Sequence, residues 1–82
     1  MKITFSKKAE KQSNKIPDHI FDHVLTKIQD LANQTGVLNI RKLTNREGFR
    51  LRVGDYRIIY KVEPKQIVIR SIAHRKDAYR HF

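Results

Sequence analysis

Arginines at alternate positions are the residues of this sequence best suited to chemistry. Arg50 and Arg52 flank Leu51, and Arg57 follows after a short gap. The planar guanidinium group donates paired hydrogen bonds to phosphate or carboxylate and keeps its charge at physiological pH. This spacing predicts a cationic surface that binds anions and stabilises negative charge.

The last residues of the chain form a second group with possible chemistry. They combine cationic, aromatic and titratable side chains: His74, Arg75, Tyr79, Arg80 and His81. The arginines could hold phosphate, and Tyr79 could stack on a base or transfer a proton. Histidine side chains can act as acid or base near neutral pH, so His74 and His81 are candidates for proton transfer. For His74 a packing role is an equal alternative.

A metal or cofactor site is not expected. His19 and His23 are four residues apart and could face one metal, but no glutamate follows His19 and no third ligand is evident. A solvated helix face explains the two histidines better.

Charge indicates the kind of partner. The chain has 18 Lys+Arg against 8 Asp+Glu, a formal net charge of +10. All eight arginines lie in residues 41–82. This excess in a small chain is the electrostatic pattern of a nucleic-acid binder. A basic surface that serves only solubility is the alternative.

Size and composition limit the organisation of the chain. We expect 82 residues to form a single domain, 1–82, without a large enclosed cavity. There is no cysteine, which excludes a disulfide framework and a thiolate metal site. No apolar run resembles a signal peptide or the roughly 20 residues that span a membrane. A cytoplasmic protein with no membrane partner is therefore expected.

The second half of the sequence predicts an antiparallel meander with strands at 49–53, 56–62 and 66–72. Gly54-Asp55 suits a two-residue hairpin turn, which fixes the register of the first two strands. The apolar face then carries the pairs Val53–Tyr56, Leu51–Ile58 and Phe49–Tyr60, whereas Arg52–Arg57 and Arg50–Ile59 lie on the other face. The face of Arg70 on the third strand stays open.

The first half predicts the elements that cover the apolar face. Residues 2–5 alternate as a short strand, and Ser6 is a suitable N-cap for a helix to about Asn14. Pro17 suits the start of a second helix, which Gly36 ends. Its apolar residues recur at helical spacing: Ile20, Phe21, Val24, Leu25, Ile28 and Leu31. The fold class is thus α+β, one sheet with a helical hairpin on one face.

The stability of the sheet does not explain why Arg52 lies opposite Arg57, because like charges directly opposite each other destabilise a sheet. A bound anion would remove this cost. Alternatively, the two side chains splay into water or pair with Glu63 or Asp55.

The segment from Gly48 to Tyr60, GFRLRVGDYRIIY, together with Ile72-Ala73-His74-Arg75 and Tyr79, resembles the RelE/ParE toxin superfamily. The motifs occupy residues 41–79, and the first half matches in pattern only. The resemblance implies a toxin of a type II toxin–antitoxin pair, which an antitoxin protein neutralises. In the RelE branch it implies a nuclease that cuts mRNA in the ribosomal A site.

The same resemblance assigns roles to individual residues. It places Arg57, Arg75 and Tyr79 at catalytic positions, and Arg50 and Arg52 where the family often has lysines. The implied reaction is metal-independent attack of a ribose 2′-hydroxyl on the adjacent phosphate. Arginine holds its proton too firmly to act as acid or base, which leaves Tyr79 as candidate base and His74 as a second. Further phosphate contacts are expected from Arg70 and Arg80.

Two other functions stay open at this stage. The ParE branch of the same fold is associated with inhibition of DNA gyrase without RNA cleavage. A non-catalytic module would use the arginines only for phosphate affinity, with steep salt dependence. An antitoxin for either toxin would present an acidic, partly disordered segment.

Overall fold

The chain begins with a short strand and two helices, as a computed structural model that describes residues 1–74 shows. Strand β1 (Lys2–Phe5) is followed by helices α1 (Lys7–Ser13) and α2 (Asp18–Asn33). Ser6 caps α1, because its hydroxyl accepts a hydrogen bond from the Ala9 amide at 3.1 Å. Neither helix is long and apolar enough to cross a membrane.

Four further strands complete a five-stranded mixed sheet. They are β2 (Asn39–Lys42), β3 (Phe49–Val53), β4 (Tyr56–Glu63) and β5 (Gln66–His74). The strand order is β1-β5-β4-β3-β2. Strand β1 pairs with β5 in parallel, and the other neighbours are antiparallel. Within the described residues, β1 thus forms one edge of the sheet beside the first half of β5, and β2 forms the other edge.

The hairpin register predicted from Gly54-Asp55 is confirmed pair by pair, including Arg52 opposite Arg57 and Arg50 opposite Ile59. Strands β4 and β5 run slightly further than predicted, to Glu63 and His74. The α+β class with a helical pair on one face is also confirmed. Gly54 has φ 57, the left-handed conformation that this turn requires.

Two features of the fold differ from the sequence prediction. Strand β2 was not predicted, and it adds a fifth strand beside β3. Helix α2 ends at Asn33, before Gly36, because Gln34 already adopts the left-handed conformation with φ 56. The Thr35 amide then donates to the Asp30 carbonyl at 2.9 Å, which closes the helix end.

The core lies between the helices and one face of the sheet. Its fully buried residues include Val24 and Ile28 of α2, Leu51 of β3, Ile58 of β4 and Ile69 of β5. Side chains that alternate with these along the strands point to the opposite face, on which neither α1 nor α2 packs. That second face is called the open face below, and it is where a ligand can approach.

A β-bulge interrupts the pairing of β4 with β5. Ile59 pairs with Ser71, but the next residue, Tyr60, pairs with Ile69, so Arg70 is the extra residue. The Ser6 hydroxyl donates to the Arg70 carbonyl at 3.0 Å. One serine therefore links the start of α1 to the bulge and fixes the backbone at Arg70.

Candidate functional site

Arg52 and Arg57 face each other directly across β3 and β4 on the open face. Opposed residues in an antiparallel pair have Cβ atoms about 5 Å apart, so two positive charges lie on neighbouring backbones. The tight Gly54-Asp55 turn holds this register. This arrangement creates a positive field that an anion can share between two guanidinium groups.

Arg41 extends this cluster, and the sequence reasoning had not singled it out. It lies on β2 directly opposite Arg50 of β3. In the sequence, Asn39 and Arg41 alternate with Ile40 and Lys42, which is the spacing that places two residues on each face of a strand. This alternation was too short and too polar to stand out as a strand. The arginine face is therefore defined by four residues on three adjacent strands: Arg41, Arg50, Arg52 and Arg57.

Burial differs within the arginine face. Arg41 and Arg52 are exposed, whereas Arg50 and Arg57 are half-buried. The Nε atom of Arg50 has almost no contact with solvent. Charges act more strongly where water is displaced, and a half-buried stem restricts where the guanidinium can point. Arg50 and Arg57 are thus the more firmly positioned members of the arginine face.

Glu63 and Asp55 are the two acidic residues that the sequence offered as partners for Arg52 and Arg57. Glu63 lies six residues beyond Arg57 on β4, about 20 Å along an extended strand. Its carboxylate accepts a hydrogen bond from the side-chain Nε2 of Gln66, and the Thr4 hydroxyl donates to the side-chain Oε1 of Gln66 at 2.7 Å. Glu63 is therefore engaged far from the Arg52–Arg57 pair. Asp55 is exposed in the turn itself.

Lys61 is a further cation on the β4 strand, at the end remote from the turn. Its Nζ lies 3.6 Å from Glu47 Oε1. This ion pair is largely exposed and contributes little to stability. It offsets one positive charge at the end of β4 that is remote from the Gly54-Asp55 turn.

Arg70 is exposed and lies at the bulge beside Ser71, opposite Ile59. Strand β4 separates it from Arg50 on β3, a distance of about 10 Å between backbones. The structure therefore places Arg70 at the margin of the arginine face. A long side chain can reach a ligand there, but it is not part of the cross-strand cluster.

His74 lies apart from the arginines. It pairs with Tyr56 at the end of β5, in the alternation that carries the buried Ile58 and Ile72. The His74 and Tyr56 rings meet edge to face with centroids 5.2 Å apart. This contact turns His74 toward the helix side of the sheet. The other predicted tail residues lie outside the described residues: Arg75, Tyr79, Arg80 and His81.

Aromatic packing beneath the arginine face supports its geometry. Phe49 and Tyr60 are cross-strand partners whose rings stack at 5.5 Å and 23°. Tyr60 is 2% exposed, and this burial raises the pKa of its hydroxyl above the ordinary 10.0. A neutral Tyr60 is thus part of the core under the strands that carry Arg50, Arg52 and Arg57.

A cleft beside the arginine face continues its positive character. It has a volume of about 500 Å³ and lies between α2 and the start of β2. His23, Lys27 and Arg52 line it together with aliphatic residues such as Val37, and no lining residue is acidic. Within residues 1–74, no group of three or more His, Asp or Glu side chains is placed to hold a metal ion.

Known proteins share both the sequence pattern and this architecture. The family model of the ParE toxin of type II toxin–antitoxin systems matches residues 3–79. The toxin RelE3 of Methanocaldococcus jannaschii is 32% identical over 87 residues, which cover 100% of this chain and 99% of that protein.

Solved structures agree with this match. The RelB-RelE antitoxin–toxin complex from Methanococcus jannaschii superposes with a TM-score of 0.80 at 30% identity, covering 96% of this chain and 98% of the solved one. The archaeal RelE-RelB complex from Pyrococcus horikoshii gives a TM-score of 0.70 at 25% identity, with 90% and 93% coverage. The fold and its basic open face thus define a class, the small α+β toxins.

The chain belongs to the RelE/ParE superfamily and is a toxin of a type II toxin–antitoxin system of the RelE family. The resemblance read from Gly48–Tyr60 is therefore confirmed.

Proposed function

We propose that this toxin is an mRNA interferase, a metal-independent endoribonuclease that cleaves messenger RNA in the ribosomal A site. The observation that carries the proposal is the Arg52–Arg57 pair, two arginines directly opposite each other on the open face. A phosphate can accept charge-assisted hydrogen bonds from both arginines of such a pair. A target in messenger RNA implies a cytoplasmic site of action.

The proposed reaction is a transesterification in which water is not the nucleophile. The ribose 2′-oxygen gives up its proton and attacks the adjacent phosphorus, and the bond from phosphorus to the 5′-oxygen breaks. The leaving 5′-oxygen takes up a proton from solvent, which balances the proton lost by the 2′-hydroxyl. The products are a cyclic phosphate and a 5′-hydroxyl end. Negative charge on the phosphate oxygens rises in the transition state, and preorganised donors stabilise it most effectively. Arg57, half-buried and facing Arg52, is our leading residue for this role.

Proton transfer is assigned to the tail. Arginine cannot release its proton readily, so we propose Tyr79 as the group that accepts the 2′-hydroxyl proton, with Arg75 beside it on the phosphate. Nearby guanidinium groups would favour the phenolate form of Tyr79. His74 stays the second candidate, although its contact with Tyr56 on the helix side supports it less. Arg50, Arg52, Arg70 and Arg80 are proposed to bind RNA phosphates.

Two partners accompany this function. The ribosome would hold the message in a geometry that a small open face cannot enforce alone. A cognate antitoxin is the second partner, and the two archaeal relatives were solved as complexes of RelE with RelB. The net charge of +10 indicates an antitoxin segment of acidic character.

The test is to induce the toxin briefly in bacterial cells and to map the 5′ ends of messenger RNA. Wild type is expected to produce new ends at fixed positions in codons, and the Arg57→Ala, Tyr79→Phe double variant none. Lys11→Ala, an exposed change on α1, is the matched control and should cut as wild type does. Growth arrest without new RNA ends would refute the nuclease.

The ParE match favours a second candidate, a toxin that inhibits DNA gyrase without cutting RNA. A supercoiling assay with purified gyrase separates the two. Inhibition by wild type and by the double variant alike would support the gyrase function. An RNA-binding module without chemistry would bind RNA, leave it intact and leave gyrase active.

A further inference from the structure

The arginine face consists of two opposed pairs rather than a scattered cluster. The turn-side pair is Arg52 and Arg57 across β3 and β4, and the edge-side pair is Arg41 and Arg50 across β2 and β3. Both pairs include one arginine of β3, two residues apart on the same face. A strand rises about 3.4 Å per residue, so the pairs are offset by about 7 Å along β3.

Each pair places two cationic side chains where one phosphate can bind both. A phosphate accepts charge-assisted hydrogen bonds from two guanidinium groups at once, and like charges opposite each other in a sheet favour an anion between them. The pairs are also displaced sideways by one strand spacing of about 5 Å, so their midpoints are about 8 Å apart at the backbone. Long arginine side chains can span this distance to two neighbouring phosphates of an extended single strand.

We propose that the arginine face binds two consecutive phosphates of single-stranded RNA, and that Arg41 is the binding residue that completes the second site. The turn-side pair holds the phosphate that reacts, and the edge-side pair holds its neighbour. This inference rests on the proposed function for the identity of the ligand. It assigns to Arg41 a contribution to substrate affinity rather than to the chemical step.

An acidic peptide with carboxylates at alternate residues would have a similar spacing, but the surface favours RNA. The open-face residues of β2 and β3 are Asn39, Arg41, Arg50 and Arg52, all polar. Stable peptide docking depends on buried apolar anchors, and these two strands offer none on that face. Phosphate binding by charge-assisted hydrogen bonds needs no such anchor.

The test measures binding of wild type and Arg41→Ala to short RNA that carries 2′-O-methyl groups and so cannot be cleaved. A second set of oligonucleotides has one neutral methylphosphonate linkage, placed on either side of the central phosphate. Fluorescence anisotropy gives the dissociation constants. Neutralising the linkage on one of the two sides is expected to weaken wild-type binding about tenfold. Arg41→Ala should weaken binding similarly and show no further loss with that oligonucleotide.

Lys42→Ala is the matched control, because it removes the same charge from the neighbouring exposed residue, which alternates to the other face of β2. It should bind within twofold of wild type and still lose affinity with the neutral linkage. Thermal unfolding of both variants checks the fold, and both positions are exposed, so melting temperatures should match wild type. A partial return of affinity in Arg41→Lys would support a direct phosphate contact.

Equal losses in Arg41→Ala and Lys42→Ala would overturn the two-phosphate site, since charge alone would then explain both. So would a loss in Arg41→Ala that appears with an acidic peptide but not with RNA, which would assign the face to a protein partner. The cleavage test could fail while Arg41→Ala still shows no further loss of affinity with the neutral-linkage oligonucleotide. That outcome would refute the proposed nuclease but not this binding site.

Discussion

Arg57 is the residue whose removal should affect cleavage most. It faces Arg52, and its half-buried stem restricts the guanidinium. A single well-placed donor toward developing charge contributes on the order of 3 kcal/mol, or about 100-fold in rate. Arg57→Ala is therefore expected to slow single-turnover cleavage on programmed ribosomes by roughly that factor. Arg57→Lys, which keeps the charge but loses the planar fork, should fall between the two. A rate within threefold of wild type would exclude this role.

His74, unlike Arg57, is a residue whose replacement is expected to leave cleavage unaffected. Its ring packs against Tyr56 on the helix side of the sheet, away from the face that carries Arg52 and Arg57. His74→Gln is expected to leave the cleavage rate unchanged in the same ribosome assay. A rate reduced tenfold, with the melting temperature preserved, would make His74 the leading candidate for proton transfer in place of Tyr79.

Tyr60 predicts how stability depends on alkaline pH. Burial raises its pKa above 10.0, so the folded state holds this proton more tightly than the unfolded chain. The contribution is fully present below pH 10 and is lost as the pH rises through the folded-state pKa. Urea unfolding at pH 8 and pH 11 should show a smaller loss of stability in Tyr60→Phe than in wild type. Equal losses in both proteins would contradict the assignment.

At the scale of elements, Gly48 is the position where a side chain should disturb the sheet most. Its φ is 118, and an added Cβ would lie 2.8 Å from the Tyr60 carbonyl oxygen. Gly54→Ala is the matched control, because φ is 57 there and no atom lies within 4 Å of the new Cβ. Gly54→Ala should cost about 1 kcal/mol of left-handed strain, and Gly48→Ala clearly more. Urea unfolding measures the loss in free energy of unfolding for each variant. Equal losses would show that the Tyr60 carbonyl moves away from the new Cβ at little energetic cost.

The register of the β3–β4 hairpin could be predicted from the sequence because two local signals agreed. Gly54-Asp55 specified the turn, and Leu51, Val53 and Ile58 specified which face is buried, so one register satisfied both. Strand β2 had neither signal. Its four residues are all exposed, and only Ile40 among them is apolar. It exists because β3 offers it backbone partners, which is a tertiary effect that local pattern does not show.

The candidate site, like the fold, could be predicted only where local sequence signals determine the position of a residue. Arg50, Arg52 and Arg57 could be placed on one face from the hairpin register, and the structure confirms that placement. Arg41 could not, because its position depends on β2. The face of Arg70 depends on the bulge at Ile59 and Tyr60, an irregularity that alternation cannot predict. Roles in catalysis came from the family resemblance and not from the spacing of the residues.

At the scale of the whole molecule, the net charge of +10 governs affinity for RNA through the salt dependence of binding. Two phosphates held by the arginine face release about 0.7 counterions each from a single strand, for a contribution of about −1.4 to the slope of log K against log salt. Anisotropy titrations from low to high salt measure this slope. Arg41→Ala, which weakens the second phosphate site, should reduce the slope by up to about 0.7, and an unchanged slope would mean that Arg41 does not contact the RNA backbone.

Among residues 1–74, strand β2 ends the sheet, with a row of backbone amide and carbonyl groups directed away from β3. Such a row can template a strand from another molecule and let the sheet grow from copy to copy. Arg41 and Lys42 lie on this strand, and an antiparallel copy would bring their charges against like charges. This repulsion opposes such pairing, and a bound polyanion would reduce it. Molecules crowded along one RNA are therefore expected to self-associate where the same molecules in buffer stay apart.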